Sequence, residues 1–223
     1  MIIALDGPSG AGKSTVARLI ADRLGLSFLD TGAMYRAITL VALERDVHPA
    51  DEEACAALAR ATVLSFNADG EIQIDGVAGE PAIRSQTVTL NVSAVSAHPG
   101  VRAAIVEEQR AIAARAVSKS GGVVAEGRDT TTVVFPEADH KFFLNASSPE
   151  RARRRALQEG TPERQKEICA DIDRRDRLDA TRAHSPLLQA QDATLIDADA
   201  MDAEAVVTEI LRVIKLSKSG GVA

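Results

Sequence analysis

The chain has 223 residues, 45% of them hydrophobic and 26% charged, with a formal charge of -6. That length suits one sizeable α/β domain with insertions, and the acidic balance argues against a protein built to grip a nucleic-acid backbone, which needs a basic face. No apolar run comes near the roughly 18 residues of a membrane helix, and no basic segment with a cleavable apolar stretch is visible, so the expected setting is the cytoplasm.

In chain order, Ile2 to Leu5 reads as a short, fully apolar strand of a parallel sheet covered on both faces. GPSGAGKST follows at residues 7–15, and Val16, Leu19, Ile20 and Leu24 then make a helical stripe that Gly25 ends. SFLDTG is a second strand and turn, and AMYRAITLVALERD a second helix, so the alternation predicts a parallel α/β sheet flanked by helices. Between about Ala61 and Arg84 the pattern changes. VLSFNADGEIQIDG alternates apolar and polar residues around an Asn-Ala-Asp-Gly turn, which predicts an antiparallel hairpin inside an inserted subdomain. Helical periodicity resumes through AIRSQTVTLNVSAVS, breaks at His98-Pro99-Gly100 and returns in VRAAIVEEQRAIAARAV. VVAEG and KFFLNA are buried strands, followed by Arg-rich helices from about Ser148 to Thr181 with a Gly160-Thr161-Pro162 break. ATLIDA is the last strand, DAEAVVTEILRVIKL the closing helix and SKSGGVA a frayed tail.

Cys55 and Cys169 fit no zinc spacing and read as reduced thiols in apolar surroundings. His48, His98, His140 and His184 are scattered and predict no protein-built metal cage. No exposed apolar stripe demands a partner, so a monomer is expected.

Gly7, Gly12, Lys13 and Ser14 satisfy G-x-x-x-x-G-K-[ST] between a strand and a helix. Glycines let backbone N–H groups turn inward around phosphate oxygens, and the helix start adds its positive dipole end. Gly7, Pro8, Ser9, Gly10, Ala11, Gly12, Lys13, Ser14 and Thr15 are therefore expected to hold a nucleoside triphosphate, with Lys13 on the β- and γ-phosphates and the Ser14 hydroxyl as a ligand of Mg²⁺. Many activities share such loops. No Asn here is followed by Lys, so the guanine-reading Asn-Lys-x-Asp segment is missing. One loop in a short chain with a hairpin insert favours a kinase for a small acceptor.

The acceptor belongs beyond the carboxyl ends of the parallel strands. Three stretches lie there: DTGAMYR with Arg36 one turn into its helix, EGRD with Arg128 and Asp129, and the Arg-rich tract. Asp30 or Thr31 is also a natural helix cap. Arg151, Arg154 and Arg155 fall at i, i+3, i+4, and Arg175, Asp179 and Arg182 at i, i+4, i+7, which suggests a hinged cover closing over phosphates. None of these stretches offers an obvious general base. A phosphate monoester needs none, because its second pKa is about 6, so converging arginines fit a nucleoside monophosphate acceptor.

The ordered set DGPSGAGKST, DTGAMYR, EGRD with TVVFP, ASSPERARRR, RRDRLDATR and SPL resembles bacterial cytidylate (CMP) kinases over essentially the whole chain. The resemblance implies the P-loop nucleoside monophosphate kinase fold, with a core at 1–60, 100–147 and 183–217, an acceptor-binding insert at about 61–99 and a helical lid at about 148–182. It implies transfer from ATP to CMP or dCMP with Mg²⁺, another nucleoside monophosphate acceptor (UMP, AMP or dTMP) being the alternative. By position, Thr31, Arg102 and Asp129 would contact cytosine, Arg36 and Arg128 the acceptor phosphate, and Ser93, Arg175 and Asp179 the sugar, with Arg182 near the transferring phosphate. Lys13, Arg128 and Arg182 would be the catalytic cations. Arg151, Arg154 and Arg155 match lid arginines, with Arg154 assigned to ATP, and Asp179 stands one turn from Arg175, where it could orient that guanidinium. The chain departs from the family pattern at Thr131, where Gly is frequent, at Thr31, where Ser is common, and at Ser14, where some members carry Gly.

Overall fold

The computed structural model describes residues 1–67 and 69–219. Five parallel strands form the central sheet: β1 (Ile2–Asp6), β2 (Ser27–Asp30), β6 (Val123–Gly127), β7 (His140–Asn145) and β8 (Thr194–Asp197), in the order β2-β6-β1-β7-β8. Their register pairs Ala4 with Ala125 on one side and with Lys141 on the other. The strands read as continuous apolar runs because both faces are covered. On β6, Val123 and Ala125 face a core shared with α2 (Thr31–Glu44), α3 (Glu52–Ala61) and α5 (Pro99–Ser120), while Val124 joins Ile3, Leu5, Phe142 and Leu144 on the other face under α1 (Lys13–Leu24) and α8 (Ala203–Ser219). Each such fully buried aliphatic or aromatic side chain contributes about 1.5–3 kcal/mol.

The predicted hairpin exists as β3 (Leu64–Phe66) and β4 (Ile72–Ile74), paired antiparallel, and a third strand, β5 (Val77–Ala78), extends it. Ala68 of the predicted turn lies outside the described residues. The run predicted as one helix from Ala82 is two elements: a 3₁₀ turn at Ala82–Arg84, then α4 (Gln86–Val95). Ser85 separates them because its hydroxyl accepts from the Val88 N–H and caps the second. Pro99 does not lie in a gap between helices; it opens α5, where its missing N–H costs nothing. The Arg-rich tract forms α6 (Ser148–Gln158), a 3₁₀ turn at Pro162–Arg164 and α7 (Gln165–Thr181), packed together through Ala152, Ala156, Ile168 and Ile172. Helix α3 was not anticipated; its N-cap Asp51 accepts from the Ala54 N–H at 3.0 Å. The frayed tail is a correction in part: α8 continues to Ser219, and residues 220–223 lie outside the described residues. Cys55 and Cys169 are free thiols, Cys55 buried in the larger core and Cys169 half-buried against the α6–α7 cluster. No helix among the described residues is long and apolar enough to cross a membrane.

Candidate active site

The carboxyl ends of β1, β2 and β6 open into one cavity of about 1180 Å³. Residues 9–16 form one wall of it. Gly7 lies just behind, where β7 approaches so closely that a Cβ would stand 2.0 Å from the Leu144 carbonyl oxygen. Gly12, with φ of 91°, turns the chain into α1. Lys13 is buried, and its ammonium donates to the Pro8 carbonyl at 2.8 Å. Burial, reinforced by the charge of Arg128, lowers its pKa to about 7 against the pull of Glu126, Asp6 and Asp176.

The opposite wall and floor gather the expected acceptor-side residues: Thr31 and Arg36 from α2, Ser93 from α4, Arg102 from α5, Arg128 and Asp129 after β6, and Arg175, Asp179 and Arg182 from α7 and its end. Thr31 donates to the Glu126 carbonyl at 2.6 Å, while Asp30, not Thr31, caps α2 by accepting from Ala33 N–H at 2.8 Å. Arg36 reaches across to the insert, donating to the Ile83 carbonyl (3.1 Å) and the Thr89 hydroxyl (3.0 Å). Arg102 pairs with Asp129, both buried, and donates to the Ser96 carbonyl at 3.1 Å while lying over the Tyr35 ring at 5.1 Å. Arg182 lies 3.8 Å from the other Asp129 oxygen.

The expected Asp179–Arg175 partnership is a correction. Asp179 instead accepts from Arg128 Nε at 3.2 Å, and the Arg175 Nε is buried without a hydrogen bond. Burial, with Arg128 nearby, lowers the Arg175 pKa to about 10, and burial does the same to Arg36 with Arg175 and Arg84 as neighbours. For Arg128 burial works against the charge, but Asp179, Glu126 and Asp176 outweigh it and the net shift is upward. Of the α6 arginines, Arg153, Arg154 and Arg155 line the cavity. Arg154 reaches the segment after β8, donating to the Ala198 and Met201 carbonyls at 2.5 and 3.2 Å. Arg151 is the second correction: it is buried behind the loop and does not line the cavity.

Several lining residues escaped the sequence reading. Glu126 is buried below the loop and accepts from the Ser14 hydroxyl at 2.5 Å, its pKa raised by burial and by Asp30. Tyr35 stands one turn from Thr31, a spacing that could have signalled it, whereas Arg84 and Arg153 offered no pattern. Asp6 ends β1 and accepts from both the N–H and the hydroxyl of Thr130 (2.9 and 2.6 Å) and of Thr131 (2.7 and 2.6 Å). The side chain that departs from the family pattern at 131 thus anchors the turn that presents Arg128 and Asp129.

A family model described as cytidylate kinase matches residues 3–216. The chain belongs to the cytidylate kinase family. A cytidylate kinase of Pelotomaculum thermopropionicum is 46% identical over 216 residues, covering 94% of this chain and 93% of that protein. A bifunctional pantoate ligase/cytidylate kinase of Synechococcus is 48% identical over 223 residues, and there the match covers 96% of this chain but spans only 45% of the relative's length. Among solved structures, an uncharacterized protein from Eubacterium ventriosum shares the fold with a TM-score of 0.51 at 12% identity, over 96% of this chain and 98% of that one. In this cytidylate kinase family member, the phosphate loop and the arginine-lined floor face each other across a single space.

Proposed function

We propose that the protein transfers a phosphoryl group from ATP to CMP or dCMP, giving ADP and CDP or dCDP. What carries the reading is the meeting, in one cavity, of a phosphate loop and a floor holding Arg36, Arg128, Arg175 and Arg182, in a chain of the cytidylate kinase family. The cavity volume of about 1180 Å³ is above the range of roughly 300–1,000 Å³ typical of one small ligand, in keeping with two nucleotides.

In this reading residues 9–15 and Lys13 hold the donor phosphates, with Arg154 beside the nucleoside end. Arg36 and Arg128 hold the acceptor phosphate, Ser93, Arg175 and Asp179 the sugar, and Thr31, Arg102 and Asp129 the cytosine edge, which needs both donors and acceptors in fixed positions. Residues 61–99 then serve as the acceptor-binding insert and 148–182 as a lid that excludes water. An oxygen of the already ionised acceptor phosphate attacks the γ-phosphorus, the bond to the β–γ bridging oxygen breaks, and ADP leaves. Lys13, Arg128 and Arg182 balance the charge that spreads over the transferring group. The donor phosphates also hold Lys13 in its charged form, which the bare site disfavours.

The Ser14 hydroxyl and Glu126 carboxylate, in contact at 2.5 Å on the cavity wall, are hard oxygen donors suited to Mg²⁺. Bound there together with ATP, Mg²⁺ would neutralise phosphate charge. Measuring ADP formation with CMP, dCMP, UMP, AMP and dTMP tests the reading. Turnover concentrated in CMP and dCMP is expected. Preference for another monophosphate would overturn the cytosine assignment, and acceptor-independent rates throughout would overturn the kinase.

A further inference from the structure

The arginines of α6 divide by direction, and the one that turns away from the cavity has the more revealing contacts. Arg151 Nε donates to the Ala146 carbonyl (2.8 Å) and Nη2 to the Ser148 hydroxyl (2.9 Å). Its Nη1 donates both to the Ser9 carbonyl (2.7 Å) and to Asp176 of α7 (2.5 Å). The other Asp176 oxygen accepts from the Ser9 N–H at 3.0 Å. Both backbone groups of one loop residue are thus held by an ion pair contributed by two helices.

The peptide between Pro8 and Ser9 is therefore gripped at both ends. Its carbonyl takes the Lys13 ammonium from the cavity side, and its N–H meets Asp176 from behind. This peptide lies in the looser half of the loop, between Gly7 (φ 152°) and Gly10 (φ 80°). Glycines there permit the turn but do little to hold it. Lys13 has three N–H donors, so once it also engages a phosphate its hold on the Pro8 carbonyl is shared, and the grip from behind is the one that binding leaves untouched.

We propose that Arg151 and Asp176 form a positioning pair that keeps the first turn of the donor loop in its phosphate-binding shape while Lys13 engages the nucleotide. The proposal rests on the kinase reading for the identity of the nucleotide. The pair's hydrogen bonds assign it to the donor side, since among the described residues they run to Ser9, Ala146, Ser148 and each other, and none runs to Arg175, Asp179 or Arg128; the acceptor side feels only the Asp176 charge, through Arg128 and Arg175. The negative charge of Asp176 also favours the protonated form of Lys13.

The test is calorimetric binding of Mg²⁺ with a non-hydrolysable ATP analogue, and separately of CMP, to the full chain and to Asp176→Ala, Asp176→Asn and Arg151→Lys, with melting curves for each. Asp176→Ala is expected to weaken the ATP analogue about tenfold or more, as loss of one charge-assisted hydrogen bond would, while CMP affinity, touched only through the charge felt by Arg128 and Arg175, changes several-fold less. Asp176→Asn, which keeps an oxygen for the Ser9 N–H, is expected to fall between. Arg151→Lys keeps the charge but cannot span the same acceptors, so it should weaken the donor selectively as well. If Asp176→Ala does not fold, the two milder variants carry the comparison. Equal losses for both ligands, or unchanged donor affinity in folded variants, would overturn the proposal. Wild-type protein that binds the ATP analogue but turns over no monophosphate would count against the kinase reading alone, because donor binding is measured without an acceptor.

Discussion

The two ends of the cavity are made of different material. The proposed donor end is built mainly on one contiguous segment, residues 9–15, which offers backbone N–H donors and a single lysine, with Arg154 beside it. The proposed acceptor end is a set of charged side chains from α2, α5, α7 and the turn after β6, two pairs of which are joined as Arg102–Asp129 and Arg128–Asp179. A backbone-built site depends on the shape of the chain. A site of buried ion pairs depends on every partner, because removing one strands the other away from water.

The contrast can be broken most decisively with Lys13→Met and Arg128→Ala. Both are expected to reduce turnover about 10³-fold or more, since in the proposed reading each removes a cation set against phosphate charge. Their stabilities should move in opposite directions. Lys13→Met removes an ammonium whose burial is unfavourable and should raise the melting temperature of the ligand-free protein, whereas Arg128→Ala strands Asp179 and should lower it. Melting curves of the two without nucleotide decide the point; a fall in both would erase the distinction between the ends.

Next in size is Asp129→Asn, which leaves the buried Arg102 without its carboxylate. A loss of about 3 kcal/mol in denaturant unfolding is expected, together with weaker discrimination between CMP and UMP in competition assays. Unchanged discrimination would remove Asp129 from base reading.

The pH dependence sharpens the donor side. Lys13 has a pKa of about 7 in the folded protein against an ordinary 10.5. Below pH 7 both states carry the proton and the full burial penalty stands; between pH 7 and 10.5 the unfolded chain binds more protons, so stability from this group rises with pH. The difference in melting temperature between wild type and Lys13→Met is expected to shrink from pH 6 to pH 9. The smallest effect is predicted for Thr131→Val, which loses one hydrogen bond to Asp6. About 1 kcal/mol of stability should go, with kcat within a few-fold of wild type.

Much of this architecture was legible before any coordinates. The strands of the parallel sheet were visible as apolar runs and the hairpin as alternation around a turn, because those patterns are local consequences of burial. Helix α3 was missed although one face of it is buried at Cys55, Ala56 and Ala59: these buried residues are small, and none is a Leu, Ile or Val of the kind that marked the other helices. The split at Ser85 was missed for a different reason. Apolar spacing runs through the position, and only the hydroxyl's bond to Val88 N–H shows that a new helix begins there.

By itself the sequence determined the phosphate loop and most of the cations that line the cavity with it. A phosphate loop is encoded by neighbours: glycines at fixed offsets, a lysine and a strand before a helix suffice to set the backbone. Only the tertiary structure decided which way each charge points. Arg151 and Arg154 share a helix one turn apart, yet one buries against Ser9 and the other faces the cavity. Asp179 bonds Arg128 across the fold in place of Arg175 on its own helix. Helical spacing says which residues share a face, but a buried charge is satisfied by whichever opposite charge or backbone group the packing of distant segments brings within hydrogen-bond reach.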